Sequence, residues 1–277
     1  MQARHFRRIW QDNIYHHLCK KIIMKNIQLL FLLICILTLS ISCASNKKIS
    51  IVKNPPAAGF DLANSDAAAI KIADQVMAAM GGRKAYDETR YLFWNFFGSR
   101  TLLWDKHNGD VRIESQKDDF TVLMNIHSMQ GKVKMNGAEL THPDSLTKYL
   151  QKGKNIWIND SYWLVMPFKL KDSGVTLKYL KEEKTEAGKM ADVLELRFKE
   201  VGKTPENKYH VFVDRESRLV SQWSFYPKAT DTEPRFSTPW DGYKSFGKIK
   251  LSGGRGTYQL TDIKVLEKVE DGVFEWF

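Results

Sequence analysis

Of 277 residues, 42 are Lys or Arg and 32 are Asp or Glu, which leaves the chain at +10. Residues 1–42 hold six of the cations and one acid, so the remainder stands at 36 against 31, an ordinary surface charge that gives no warrant for a nucleic-acid partner. Of three cysteines, Cys19 and Cys35 fall in that leader and only Cys43 remains, which excludes a disulfide framework or a cysteine metal site in the folded part.

From Leu29 to Ile41 the chain carries no charge. The run is too short to span a bilayer, which takes about 20 apolar residues. It suits the apolar segment of an export signal, roughly 7–15 residues after a basic start, here Lys25 helped by Lys20 and Lys21. Residues 39–43, Leu-Ser-Ile-Ser-Cys, resemble a relaxed bacterial lipobox of the kind found in Bacteroidota. The resemblance implies cleavage between Ser42 and Cys43, a diacylglyceryl group on the Cys43 thiol, and an acyl chain such as palmitate on the new amino terminus. Each buried methylene contributes about 0.8 kcal/mol, so two or more chains anchor stably. Met24 is the more natural initiator, and residues 1–23 read as lying upstream of the true start. The chain thus divides into a signal region (1–42), a polar tether with Pro55-Pro56 and Gly59 (43–64), and one folded domain (65–277). In the lipoproteins it resembles, an acidic cluster after the cysteine favours surface display. Ala44 and Ser45 bring none, which points to the outer membrane facing the periplasm.

Residues 65–80 read as a helix capped by Ser65 and ended by Gly81-Gly82, with Ile70, Ala73, Met77 and Met80 as an apolar stripe. From Tyr91 the period becomes two. Residues 91–97 are apolar on both faces, as in a central strand. Strands follow at 100–105 and 110–114, split by the His107-Asn108-Gly109 turn, then at 119–127 and 130–135, closed at Asn136-Gly137. Residues 141–170 break the pattern with a helix start at Pro143 and an aromatic stretch ended at Pro167. Within it, Trp157 and Trp163 flank a polar knot, Asn159-Asp160-Ser161. Alternation returns at Val175, Leu177 and Tyr179. Leu194, Leu196 and Phe198 mark a half-buried strand. A hairpin spans 208–226 across residues 214–218, and a last pair occupies 240–251 and 257–269. The parity change from Tyr258 and Leu260 to Ile263 and Val265 predicts a bulge. The fold class expected is mainly antiparallel β (α+β): a curved, half-open barrel of ten or eleven strands around a front helix and a central helical insert.

That order resembles the LolA and LolB family of lipoprotein carriers and receptors, most locally at residues 211–220, Val-Phe-Val-Asp-Arg-Glu-Ser-Arg-Leu-Val, and at the helix ending Met80-Gly81-Gly82. Closer still, it is similar to Bacteroidota lipoproteins of that superfamily, whose central insert ends in an apolar Pro-containing segment like residues 164–168. The resemblance implies an apolar cavity for acyl chains under the helices. A lipid anchor would set this chain apart from the free carrier.

Sites for chemistry are sparse. His107, His127, His142 and His210 are scattered. His210 and Asp214 share a strand face without a nucleophile motif. Asp118-Asp119 and Glu182-Glu183 read as solvated charges, and Gly253–Gly256 has no helix behind it to bind phosphate. No catalytic residue, metal or cofactor is expected. The seven Trp after residue 42 read as core packing or, more sharply, as a cavity lined by Met77, Trp94, Phe96, Trp157, Trp163, Met166 and Phe168. The expected role is non-enzymatic binding of a lipid or acyl chain, anchored to membrane lipid through Cys43. The alternatives are a periplasmic hydrolase of glycan or peptide, and a structural envelope protein that binds a partner.

Overall fold

The computed structural model describes residues 54–199 and 206–277, so Ser42, Cys43 and the signal region lie outside the described residues. The described part of the expected tether belongs to the domain. Phe60 is in the core, and the backbone of 57–66 bonds to the edge near Val175, with Asp61 N donating to Val175 O and Asp66 N to Leu177 O. An apolar ring with partners for the flanking amides docks rather than dangles.

Helix α1 (Ala67–Ala79) follows. Its buried face is Ala69, Ile72, Ala73, Val76 and Met77. Burial of Ile72, Val76 and Met77 is worth about 5–9 kcal/mol before entropy is counted. Ser65 does not cap it. The Ser65 hydroxyl donates to Asp61 O and accepts from Leu177 N, while the Asp66 carboxylate accepts from Tyr179 N at 3.0 Å and from Lys178. Both side chains are used to fasten the helix start to the strand beside it, and the Tyr179 amide holds the Asp66 carboxyl below its usual range. A short α2 (Arg83–Glu88) leads into the sheet.

The sheet carries β1 (Tyr91–Phe96), β2 (Arg100–Asp105), β3 (Asp110–Ser115), β4 (Phe120–Asn125), β5 (Gly131–Met135) and a two-residue β6 (Ala138–Glu139). After helix α3 (Pro143–Val165) and a 3₁₀ turn (Met166–Lys169) come β7 (Val175–Lys184), β8 (Met190–Phe198), β9 (Lys208–Asp214) and β10 (Val220–Tyr226). The chain ends with β11 (Phe236–Pro239), β12 (Asp241–Phe246), β13 (Ile249–Arg255) and β14 (Tyr258–Leu266). Two antiparallel sheets result, in the orders β12-β13-β14-β1-β2-β3-β4-β5-β6 and β11-β10-β9-β8-β7. Among the described residues fourteen strands stand where ten or eleven were expected. β6 and β11 are too short to show a period, and Gly247, at φ 59°, splits the expected 240–251 strand into β12 and β13.

The expected bulge is present. Phe93 pairs with Lys264 but Asn95 with Thr261, and Asp262 takes φ 54°. Gly253 and Gly254 lie inside β13 rather than in a turn. A Cβ on Gly253 would stand 2.5 Å from the backbone oxygen of Leu260, so glycine there lets β14 close on β13. α3 packs over β3, β4, β5 and β13, and Gly153 brings it within reach of Val122 and Met124.

Candidate functional site

α3 begins as its sequence dictates, with His142 at the cap position and Pro143 where no amide partner is needed. It then continues straight through Asn159-Asp160-Ser161, because that knot has a partner inside. Asp160 is fully buried and accepts from Arg100 of β2 through Nε at 2.6 Å and Nη2 at 2.7 Å, and from Asn159 Nδ2 at 2.9 Å. Burial raises the Asp160 pKa, and Arg100 opposes it. Three residues on, the same C-terminal end is held by Arg255, also buried, whose Nη2 donates to Trp163 O at 2.6 Å and to Ser252 O, and whose Nη1 donates to Ser252 Oγ and Gly254 O. Its guanidinium lies 3.4 Å from the Trp240 ring centre. Burial pulls the Arg255 pKa down to about 9, so it stays charged at neutral pH. A cation at the carbonyl end of a helix is favourably placed.

Beside this end of α3, Trp163 and Tyr162 join rings from the strands in an aromatic strip. Phe97 meets Trp163 edge-on at 5.4 Å and Tyr258 at 5.2 Å. Trp163 reaches Trp223 at 4.6 Å and lies parallel to Phe236 at 6.4 Å. Phe236, Phe225 and Tyr209 form one rank across β11, β10 and β9, each opposite the next in register. Tyr162 leans on Tyr209, Trp223 and Phe198. Phe236 is 40% exposed and Tyr258 63%, whereas Phe97, Trp163, Tyr209 and Phe225 are half-buried. The Tyr162 hydroxyl and the Trp223 indole N–H are buried in this apolar surround with no hydrogen-bond partner. Burial pushes the Tyr162 phenol well above its ordinary pKa.

Of the seven expected lining residues, Met77, Trp94, Phe96, Met166 and Phe168 are no more than 7% exposed and belong to the packed core. Phe168 stacks on Tyr86 at 4.2 Å. Trp157 is half-buried and packs edge-on against Trp104. Trp163 alone joins the strip. The sequence reading missed Phe97, Tyr209, Phe225 and Phe236. The signal was the 208–226 hairpin, whose register places Tyr209 directly opposite Phe225.

β8 departs from half-buried alternation, for residues 191–196 are buried throughout. Its outer face is covered by a small cluster of Ala191, Val193 and Phe212, and by long side chains around Glu195. Arg197 donates to Glu195 at 2.6 Å, Lys208 stands 3.8 Å away, and His210 Nε2 lies at 3.4 Å. His210 Nδ1 bonds Tyr226 OH at 2.9 Å, so it pairs with Glu195 and Tyr226. Asp214 instead accepts from Ser217 and shapes the turn. The His210 bond, then Arg197 and Lys208, bring the Glu195 pKa down to about 2. A depressed carboxylate stabilises above its unfolded pKa, and that stability is lost as pH falls through the folded value. Wild type is therefore expected to lose about 2 kcal/mol from this group between about pH 4.5 and 2. Glu195→Gln should flatten that part of the acid-unfolding curve. An unchanged curve would show that the cluster contributes nothing.

Asp118 accepts from Ser115, Glu182 pairs with Arg215 and Glu183 with Lys181. Among the described residues no group of three or more His, Cys, Asp or Glu is placed to hold a metal ion. No described helix is long and apolar enough to cross a membrane.

No protein-family model matches the chain, and no curated protein matches it by sequence. Solved structures do. A DUF1329 family protein from Desulfovibrio piger aligns over 75% of this chain and 97% of its own at 12% identity, TM-score 0.39. A domain described as an outer membrane lipoprotein-sorting protein, from Vibrio parahaemolyticus, covers the same shares at 12% identity, TM-score 0.36. A LolA superfamily protein from Nitrosomonas europaea covers 74% and 96% at 13% identity, TM-score 0.35. Each of these likenesses concerns the course of the chain alone.

Proposed function

We propose that this chain is a lipid-anchored protein of the bacterial envelope, held by Cys43 at the outer membrane on its periplasmic side, that binds an acyl chain without catalysing a reaction. One observation carries the reading: the partly exposed strip Phe97, Trp163, Phe236, Phe225 and Tyr209, beside the C-terminal end of α3 that Arg100 and Arg255 tie down at Asp160 and Trp163. A contiguous aromatic surface left uncovered marks a binding surface more often than a core. Of the expected lining, Trp163 belongs to the binding surface and Phe96 lies beneath it, 4.1 Å from Phe97. The reading is tested by mass spectrometry of protein purified from membranes under mild conditions. The expected result is a mature chain starting at acylated Cys43, with lipid bound to wild type and lost from a Trp163→Ala, Phe236→Ser double variant. Wild type free of lipid and unable to take it up would overturn the binding role, and an unmodified Cys43 would overturn the anchor.

A further inference from the structure

Beside the strip lies an open groove of about 400 Å³, lined by Arg100 of β2 and by Lys148, Gln151, Lys152, Asn155, Ile156 and Asn159 of α3. Three cations and three carboxamides line it, and no carboxylate does. Asp160, next to Asn159 on the same helix, is fully buried, and its two oxygens are taken up by Arg100 and Asn159. Arg100 Nη1 makes no hydrogen bond among the described residues. Lys148 and Lys152 are exposed and form no ion pair among the described residues; their nearest partners are the rings of Tyr149 and Phe120. Like charges four apart on a helix repel, and among the described residues no ion pair offsets that repulsion; the ring contacts of Lys148 and Lys152 are the compensation the fold supplies. Two cations side by side without a carboxylate partner are open to an anion.

The groove and the strip are one surface. The Arg100 guanidinium sits 4.7 Å over the Phe96 ring, Phe96 touches Phe97 at 4.1 Å, and Phe97 opens the strip to Trp163. Asn159, in the groove, is one helical turn before Trp163. A molecule with an apolar tail along the rings would set its head against Lys148, Lys152 and the unbonded edge of Arg100.

We infer that the ligand of this site is an acyl amphiphile with an anionic head group, phosphate or carboxylate, whose head occupies the groove of Arg100, Lys148 and Lys152. This rests on the acyl-binding reading and adds the charge of the head to it. Twelve-carbon probes below their micelle concentration separate the two: dodecyl phosphate, dodecylphosphocholine and dodecyltrimethylammonium, with inorganic phosphate as the tail-less control, each titrated against the intrinsic tryptophan fluorescence of the purified protein. Wild type is expected to bind dodecyl phosphate roughly tenfold tighter than dodecylphosphocholine and to bind the cationic probe weakest. Added salt should narrow the preference. The double variant Lys148→Gln, Lys152→Gln changes only exposed side chains, so it should keep the wild-type circular dichroism and denaturant midpoint while losing the preference. Equal affinity for all three heads, or a preference that survives the double variant, overturns this inference and leaves the acyl-binding reading standing. Inorganic phosphate binding as tightly as dodecyl phosphate overturns it too, because the groove would then be a free-anion site. Failure of every amphiphile to bind takes down the acyl-binding reading itself.

Discussion

Arg100→Ala is expected to destabilise the domain by about 3 kcal/mol near neutral pH, since removing one partner of a buried pair strands the other charge. Asp160 is fully buried and its two oxygens take both of Arg100's donated bonds, with only Asn159 in addition. Arg100 itself is 23% exposed, which places the loss at the lower end for such pairs. The pH dependence has a definite sign. Burial already raises the Asp160 pKa, and without Arg100 the opposing pull is gone. A carboxyl with a raised folded pKa favours folding below its unfolded pKa, and that contribution is lost as pH rises through the folded value. The deficit of the variant is thus largest near neutrality and shrinks towards about pH 4. Urea unfolding at both pH values checks this. A loss of equal size at the two would show that Asp160 is not the stranded charge. Arg100→Met combined with Asp160→Leu should recover most of the stability, because both halves of the buried pair are then removed together.

Arg255→Ala is expected to cost more, about 4 kcal/mol. Burial over Trp240 contributes about 2 kcal/mol as a desolvated cation–π contact, and an acceptor left unpaired costs about 1–3 kcal/mol. Trp163 O, Ser252 O and Gly254 O all lose a donor, and the end of α3 loses its tie to β13. Arg255→Lys keeps the charge but not the planar fork, so about half the loss should remain. Denaturant midpoints measure both. An Ala variant within about 1 kcal/mol of wild type would mean that the desolvation of the cation offsets all its bonds.

The elements themselves were legible because their signals are local. Turns at His107-Asn108-Gly109 and Asn136-Gly137 set the early hairpins, Pro143 sets the start of α3, and the parity change after Leu260 betrays the bulge at Asp262. What was not legible depends on partners far along the chain. Asp160 looks like a helix breaker until Arg100, sixty residues earlier, meets it. Arg255 looks like part of a glycine turn until Trp240 and Trp163 O surround it. Trp94 and Phe96 carry the same aromatic signal as Phe225 and Phe236, yet the first pair is sealed in the core and the second faces solvent. Composition alone does not separate them, because both are apolar and only the order of the strands decides which side is covered.

The pairing of the first strand with the last has a consequence for when the chain folds. Tyr91 of β1 lies opposite Leu266 of β14, so the nine-stranded sheet closes across about 175 residues of chain. Closing so long a loop precedes any return from the contacts it makes, which slows folding. A nascent chain of this topology cannot complete the sheet before β14 has been made.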